Sequence, residues 1–123
     1  MIIYLSGPMT GLPNFNFHEF NRMANCLRRI GLDVINPAEI VSKDKSWEDF
    51  MRTDIKELMR ADKVAVLTGW QNSMGSRLEV AIAAALNMEV IDAYTLKPIR
   101  VISVNGYKEG LNIDKIKLDT YIG

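Results

Sequence analysis

The sequence has few of the residues that build disulfide frameworks or metal sites. Its 123 residues include one cysteine, Cys26, and one histidine, His18. A single cysteine excludes a disulfide framework and favours a reducing compartment, and we expect Cys26 to be a small core residue of an amphipathic helix. His18 has no cysteine or second histidine near it, so we expect a surface residue. We therefore predict no metal and no cofactor.

Net charge and long apolar runs are also missing. Fifteen basic residues balance fifteen acidic ones, so no net field favours a nucleic acid polymer or an anionic membrane. No apolar run reaches the roughly 18 residues of a membrane span, and the first residues lack the basic leader of a signal peptide. We expect a cytoplasmic protein that binds a small molecule, with no nucleic acid and no membrane as partner.

Short apolar runs alternate with longer helical patterns, which predicts a parallel sheet covered by helices on both faces. The expected strands span residues 2–6, 33–36, 63–68, 89–93 and 100–104. The expected helices run from Phe17 to a stop at Gly31, from Trp47 to Ala61 and from Ser76 to Leu86. The sum is a single α/β domain over residues 1–123, with a doubly wound, five-stranded sheet in the flavodoxin-like order 2-1-3-4-5. Residues 105–123 are ambiguous, since 111–118 fit a short helix or an edge strand.

Ligands of such sheets bind at the carboxyl ends of the strands, beside the point where the winding direction reverses. Strands one and three flank that point, and the loop after strand one is rich in glycine. Its glycines allow a ligand to approach the backbone. Ordinary turn chemistry is the alternative, because the loop has neither the spacing of a dinucleotide fingerprint nor a P-loop lysine. The candidate binding residues of this loop are Ser6, Gly7, Met9 and Gly11.

The loop after strand three leads into a helix N-terminus, where unpaired N–H groups favour a phosphate. Ser73 and Gly75 are its candidate binding residues, and Arg77 adds charge unless it is an ordinary surface arginine. Trp70 is a candidate to stack on a base or sugar, although a strand-end tryptophan also packs.

Two acidic residues are placed for chemistry. Glu79 lies at the start of an apolar helix, where it could act on a ligand or close the capping box that begins at Ser76. Asp54 lies four residues after Phe50 and four before Leu58, so helical spacing turns it toward the core. A carboxylate there has a raised pKa or a partner. Together the two could supply a nucleophile and a proton donor for cleaving a glycosidic bond.

The pattern resembles the nucleoside 2-deoxyribosyltransferase superfamily, and most of all its branch of 2'-deoxynucleoside 5'-phosphate N-hydrolases and their uncharacterised relatives. The resemblance covers roughly residues 2–93. It rests on Tyr-Leu-Ser-Gly-Pro-Met-Thr-Gly at residues 4–11, on Asp54 upstream of Ala61-Asp62, and on Ser73-Met74-Gly75 leading to Glu79.

The resemblance implies that Glu79 attacks C1' of a 2-deoxyribose and that Asp54 orients or protonates the reacting groups. It adds Tyr4 at the sugar as a third catalytic residue, and it places the 5'-phosphate at Ser73 and Gly75. It also implies a homodimer, because neighbouring subunits often complete sites in this superfamily.

Two positions differ from the hydrolases, which carry an arginine where this chain has Thr10 and a glycine where it has Val80. These differences favour the alternative function, a protein that binds or sequesters a nucleotide in the same cleft without turnover. A protein-interaction domain is a third possibility, because this fold serves many functions.

Overall fold

The computed structural model describes residues 1–40 and 46–101. The strands are β1 (Ile2–Ser6), β2 (Asp33–Ile35), β3 (Lys63–Val66) and β4 (Glu89–Asp92). The α-helices are α1 (Phe17–Arg29), α2 (Trp47–Leu58) and α3 (Met74–Ala85). Short 3-10 turns occupy Pro13–Asn16, Pro37–Glu39 and Trp70–Asn72.

The four strands form one parallel sheet in the order β2-β1-β3-β4. The sequence predicted this order for the first four strands, so that part of the topology is confirmed. At the centre of the sheet, Tyr4 pairs with Val64 and Ser6 with Val66. The loops that follow β1 and β3 therefore leave the sheet side by side, which places the two candidate binding loops together.

Only the first two residues of the predicted fifth strand, residues 100–104, lie within the described part of the chain. Residues 102–104 lie outside the described residues, as does all of 105–123, while Arg100 and Val101 lie in no strand. The chain turns back after β4 and makes an isolated antiparallel bridge between Ile91 and Pro98. A parallel neighbour requires a crossover of about a dozen residues or more, and the short connection after β4 does not supply it.

Both faces of the sheet are buried. The face that carries Ile3 and Leu5 of β1 packs against α1, and the opposite face, which carries Tyr4, packs against α2 and α3. Alternate side chains of a strand point to opposite faces, so Ser6 lies on the same face as Tyr4. This face, next to α2 and α3, is the one that the candidate catalytic residues share.

Cys26 is exposed, so its assignment to the core was wrong. The buried residues of α1 are Phe20, Met23, Ala24 and Leu27. At 100° per residue Cys26 lies to one side of this stripe, which explains its exposure. His18 is exposed, as predicted.

The described residues contain neither a membrane-spanning helix nor a cluster of metal ligands. No helix within residues 1–40 and 46–101 has the length and apolar character needed to cross a bilayer. The same residues contain no group of three or more histidine, cysteine or acidic side chains arranged to hold a metal ion.

Candidate active site

Glu79 is held by two residues of β1. The Tyr4 hydroxyl donates to Glu79 Oε2 at 2.5 Å, and the Ser6 hydroxyl donates to Glu79 Oε1 at 2.7 Å. All three residues are buried, and Glu79 is 5% exposed. Because Tyr4 and Ser6 are two residues apart on one strand, their side chains leave the same face and reach both oxygens of the carboxylate.

The start of α3 explains why Glu79 faces the sheet. Ser73 is the N-cap, and its Oγ accepts a hydrogen bond from the Ser76 N–H at 3.2 Å. The helix thus begins at Met74, two residues before the predicted start. The capping box between Ser76 and Glu79, one of the two alternatives for Glu79, is absent, because the cap is one turn earlier and the Glu79 carboxylate is bonded to β1 instead.

Ser76 is a site residue that the sequence analysis missed. It is buried, and its Oγ lies 2.5 Å from Ser6 Oγ. The spacing from Ser76 to Glu79 gave one signal, since residues three apart share a helix face. The partner of Ser76 could not be identified from this spacing, because it depends on where β1 meets α3.

Asp54 lies half-buried on α2, as its helical spacing predicted. Burial raises the pKa of the Asp54 carboxyl to about 6, and a hydrogen bond with the Tyr4 hydroxyl counters part of that rise. Tyr4 has a single hydroxyl hydrogen, and the 2.5 Å distance assigns it to Glu79. The same hydroxyl thus faces the Asp54 carboxyl while its hydrogen lies on the bond to Glu79. The Tyr4 hydroxyl connects the two carboxyl groups.

Burial has a still larger effect on Glu79. It raises the pKa of the Glu79 carboxyl to about 8, and the negative charge of Asp54 adds to the rise. The hydrogen bonds from Tyr4 and Ser6 act in the opposite direction, because they stabilise the ionised form. Burial and the two carboxylates also raise the pKa of the Tyr4 hydroxyl well above its usual value, so Tyr4 is a permanent donor.

The loop after β1 turns closely over the sheet. A Cβ atom at Gly7 would lie 2.8 Å from Leu67 Cβ, so only glycine fits where β1 and β3 end together. Gly11 has a φ of +84°, which also favours glycine. Met9 is half-buried and packs against the core beside α1. Close packing at Gly7 and the backbone conformation at Gly11 thus explain why glycine occupies these positions. Contacts between their backbone atoms and a ligand remain a prediction.

The loop after β3 is fixed by packing and by one arginine. Trp70 is 4% exposed and belongs to the core beside α2 and α3. Arg77 is half-buried, and its guanidinium donates to the Gln71 carbonyl at 2.9 Å, so it ties α3 to this loop. Gly75 lies against α2, where an added Cβ would approach Met51 Sδ to 3.1 Å.

A cavity of about 260 Å³ opens at the carboxyl ends of β3 and β4. Its lining consists of Val66, Leu67, Thr68, Gly69, Trp70, Gln71, Asp92 and Ile99. Trp70 is the one predicted binding residue in this lining, whereas Glu79 and Asp54 are not part of it. The hydrogen-bond geometry defines the candidate active site better than this cavity does, because neither carboxyl group with a raised pKa lines the cavity.

These features define a class: an open, doubly wound α/β protein in which two helices bring a carboxyl group each to the Tyr4 hydroxyl of a central strand. The chain belongs to the family described as Domain of unknown function (DUF4406), whose model matches residues 1–92. No match was found among curated proteins.

Three solved structures share the fold at low sequence identity. A conserved protein from Enterococcus faecalis V583 has a TM-score of 0.61 at 17% identity, and the alignment covers 75% of this chain and 62% of that one. A 2-desoxiribosyltransferase from Leishmania mexicana has a TM-score of 0.59 at 16% identity, with 74% of this chain and 62% of that one covered. The chain thus spans 62% of the length of each of these two proteins.

The third structure is a 2-deoxyribosyltransferase from the psychrotolerant bacterium Bacillus psychrosaccharolyticus. Its TM-score is 0.62 at 15% identity, and the alignment covers 99% of this chain and 100% of that one. The fold expected from the resemblance to deoxyribosyltransferases is therefore confirmed.

Proposed function

We propose that the protein is an N-glycosidase that cleaves or exchanges the base of a 2'-deoxynucleoside 5'-monophosphate. The observation that carries the proposal is the position of Glu79, whose two carboxylate oxygens are held by Tyr4 and Ser6 while Asp54 shares the Tyr4 hydroxyl. The shared fold with two deoxyribosyltransferases supports a nucleoside as the substrate.

In the first step, the ionised Glu79 carboxylate attacks C1' of the deoxyribose. A C1'–O bond forms as the C1'–N bond to the base breaks, and the bonding pair leaves with the base nitrogen. Asp54 in its protonated form supplies the proton that neutralises this nitrogen. Tyr4 and Ser6 hold the carboxylate in place, so little of its motion must be frozen during the attack.

In the second step, water or a second base attacks C1' and releases Glu79 as a carboxylate. Attack by water completes hydrolysis and attack by a base completes exchange, and in either case the proton lost by the attacking water or base nitrogen passes to ionised Asp54. Both outcomes regenerate the starting protonation state of the pair. Hydrolysis and exchange thus proceed through the same deoxyribosyl ester on Glu79.

The start of α3 supports a 5'-phosphate on the substrate. Ser73 caps this helix by accepting from Ser76 N–H, so its own hydroxyl hydrogen can turn toward a phosphate oxygen. Gly75 follows in the first turn, where the helix dipole favours an anion. In the proposal, Gly7, Met9, Gly11 and Trp70 complete the binding site, and Ser6 acts through its bond to Glu79.

We include in the proposal a homodimer in the cytoplasm, with no metal and no cofactor. The carboxylate pair needs none for the displacement described above. The resemblance to a superfamily with shared sites is the reason for expecting the second subunit.

One observation favours a second candidate, binding without turnover. Glu79 is 5% exposed and its pKa is raised to about 8, so at neutral pH most of this carboxyl is protonated and a poor nucleophile. Thr10 and Val80, at positions where the hydrolases carry arginine and glycine, point the same way. A nucleotide bound in this state would stay intact.

Chromatographic detection of free base distinguishes the two functions. The wild-type protein should release base catalytically from at least one member of a panel of deoxynucleoside monophosphates. Glu79→Gln should abolish release, while Glu89→Gln, the same change at an exposed glutamate on β4, should not. Tight binding of a nucleotide without any released base would reject the enzyme in favour of the binding protein.

A further inference from the structure

The Ser76 hydroxyl contacts Ser6 in the candidate active site, while the Ser76 N–H donates to the Ser73 cap at the start of α3. It is 1% exposed and lies one turn before Glu79 on the same side of the helix. Its Oγ is 2.5 Å from Ser6 Oγ, which is 2.7 Å from Glu79 Oε1. We infer that Ser76 is a positioning residue, whose hydroxyl directs the Ser6 hydrogen onto Glu79 and so favours the ionised, fixed carboxylate.

The number of hydroxyl hydrogens fixes the direction of the bonds between Ser76, Ser6 and Glu79. A serine hydroxyl has one hydrogen, and an ionised carboxylate has none to give. With Glu79 ionised, the Ser6 hydrogen lies on the bond to Oε1, so the hydrogen between the two serines must come from Ser76. Any other arrangement would take a donor away from a buried negative charge, which is costly at low dielectric.

The relay is built on rigid parts of the fold. Ser6 is the last residue of the central strand β1, and the Ser76 N–H is fixed by the Ser73 cap. Each hydroxyl is therefore carried by a regular element of the fold and not by a loop. Donation from Ser76 polarises the Ser6 hydroxyl and strengthens its bond to Glu79, as bonds in a hydrogen-bonded chain reinforce one another.

The importance of this role for catalysis rests on the proposed function of Glu79, but the positioning itself can be measured without substrate. The experiment is a carbon-13 NMR titration of the side-chain carboxyl of Glu79 in the full chain, with Glu79→Gln identifying the signal. Ser76→Ala should raise the titration midpoint of Glu79 by about half a pH unit relative to wild type. Ser46→Ala is the matched control, because Ser46 caps α2 and does not contact Glu79.

An unchanged midpoint in Ser76→Ala would overturn the inference. An equal shift in Ser46→Ala would overturn it too, because it would point to a general effect of a weakened helix start. Should Ser76→Ala fail to fold, Ser76→Cys provides a near-isosteric variant whose thiol is a weak donor. It should raise the midpoint in the same direction, and an unshifted midpoint there would count against the relay.

Steady-state kinetics of base release provides a second measurement, which tests the proposed function together with the role of Ser76. In Ser76→Ala, kcat for base release should fall several-fold at pH 7 with KM unchanged, and the loss should shrink at higher pH as Glu79 ionises. Absence of turnover in the wild-type protein would reject the proposed function, whereas the titration would still decide whether Ser76 positions Glu79.

Discussion

Tyr4 and Glu79 are 75 residues apart in the chain, yet the hydroxyl of one donates to the carboxylate of the other at 2.5 Å. The contact joins the central strand β1 to helix α3 inside the core. The same hydroxyl is a hydrogen-bond partner of Asp54 on α2. One phenol thus links the groups to which we assign nucleophilic attack and proton donation.

Tyr4→Phe should therefore weaken the site while the ring still fills the core. Loss of the donor leaves the ionised Glu79 less stabilised, so the pKa of Glu79 should rise further above about 8. At pH 7 base release should fall by about tenfold, the effect of about one pKa unit. Tyr94→Phe, at an exposed tyrosine, should change little, and an equal loss in both variants would contradict the assigned role.

Glu79 should also make stability depend on pH. Its pKa is raised from 4.5 to about 8 by folding, so the folded protein binds this proton more tightly than the unfolded chain does. Stability contributed by the protonated form is therefore lost as pH rises through that window. Glu79→Gln, which cannot ionise, should be more stable than wild type by about 2 kcal/mol near pH 8, with a smaller difference at about pH 5.

Urea unfolding of both proteins across this pH range measures the effect. Glu89→Gln controls for the loss of one carboxylate, since Glu89 is exposed and pairs with Lys63. A difference between wild type and Glu79→Gln that stays constant with pH would mean that Glu79 does not titrate as its burial requires.

Asp54 should set the alkaline side of the rate profile. The reactive form needs ionised Glu79 and protonated Asp54, whose pKa values are raised to about 8 and about 6. The rate of base release should therefore be bell-shaped, with limbs that belong to the coupled pair. Asp54→Asn should lower the rate by about 100-fold and remove the alkaline decline.

A substrate with an easily lost leaving group, such as a nitrophenyl deoxyriboside phosphate, tests the same role. Such a leaving group departs without a proton, so Asp54→Asn should retain most of the wild-type rate on it. An equal loss on this substrate and on a natural nucleotide would indicate a structural role for Asp54.

Gly7 should be much less tolerant of substitution than Gly75. A methyl group at Gly7 would meet Leu67 Cβ at 2.8 Å, and this atom cannot move without the backbone that directly follows β3. At Gly75 the nearest atom is the flexible Met51 sulfur. Gly7→Ala should cost about 1–3 kcal/mol in thermal or urea unfolding, whereas Gly75→Ala should be nearly neutral. Equal costs would mean that the end of β1 is looser than its packing indicates.

The sequence was sufficient to predict four strands, their order and the burial of Asp54, because each follows from local periodicity or from handedness rules. Asp54 could be placed by its distance from Phe50 and Leu58 alone. The predicted start of α3 was less accurate, because the N-cap residue decides where a helix begins. Both Ser73 and Ser76 are suitable N-cap residues, and the cap is Ser73.

The contacts around Glu79 could not be predicted in the same way. The capping box at Ser76 was a reasonable local interpretation, but tertiary bonds from Tyr4 and Ser6 hold the carboxylate instead. The Ser76 relay depends on the distance between β1 and α3, which no spacing within either element encodes. Cys26 was misplaced because it lies just beside the apolar stripe of α1.

The central claim is that Glu79 attacks the sugar, and trapping the ester tests it most directly. Wild-type protein mixed with a reactive deoxynucleotide, quenched in acid within milliseconds and analysed by intact mass, should carry one deoxyribosyl phosphate group, which peptide mapping assigns to Glu79. Glu79→Gln should carry none, and Glu89→Gln should match wild type. An adduct on another residue, or base release by Glu79→Gln at the wild-type rate, would contradict the account.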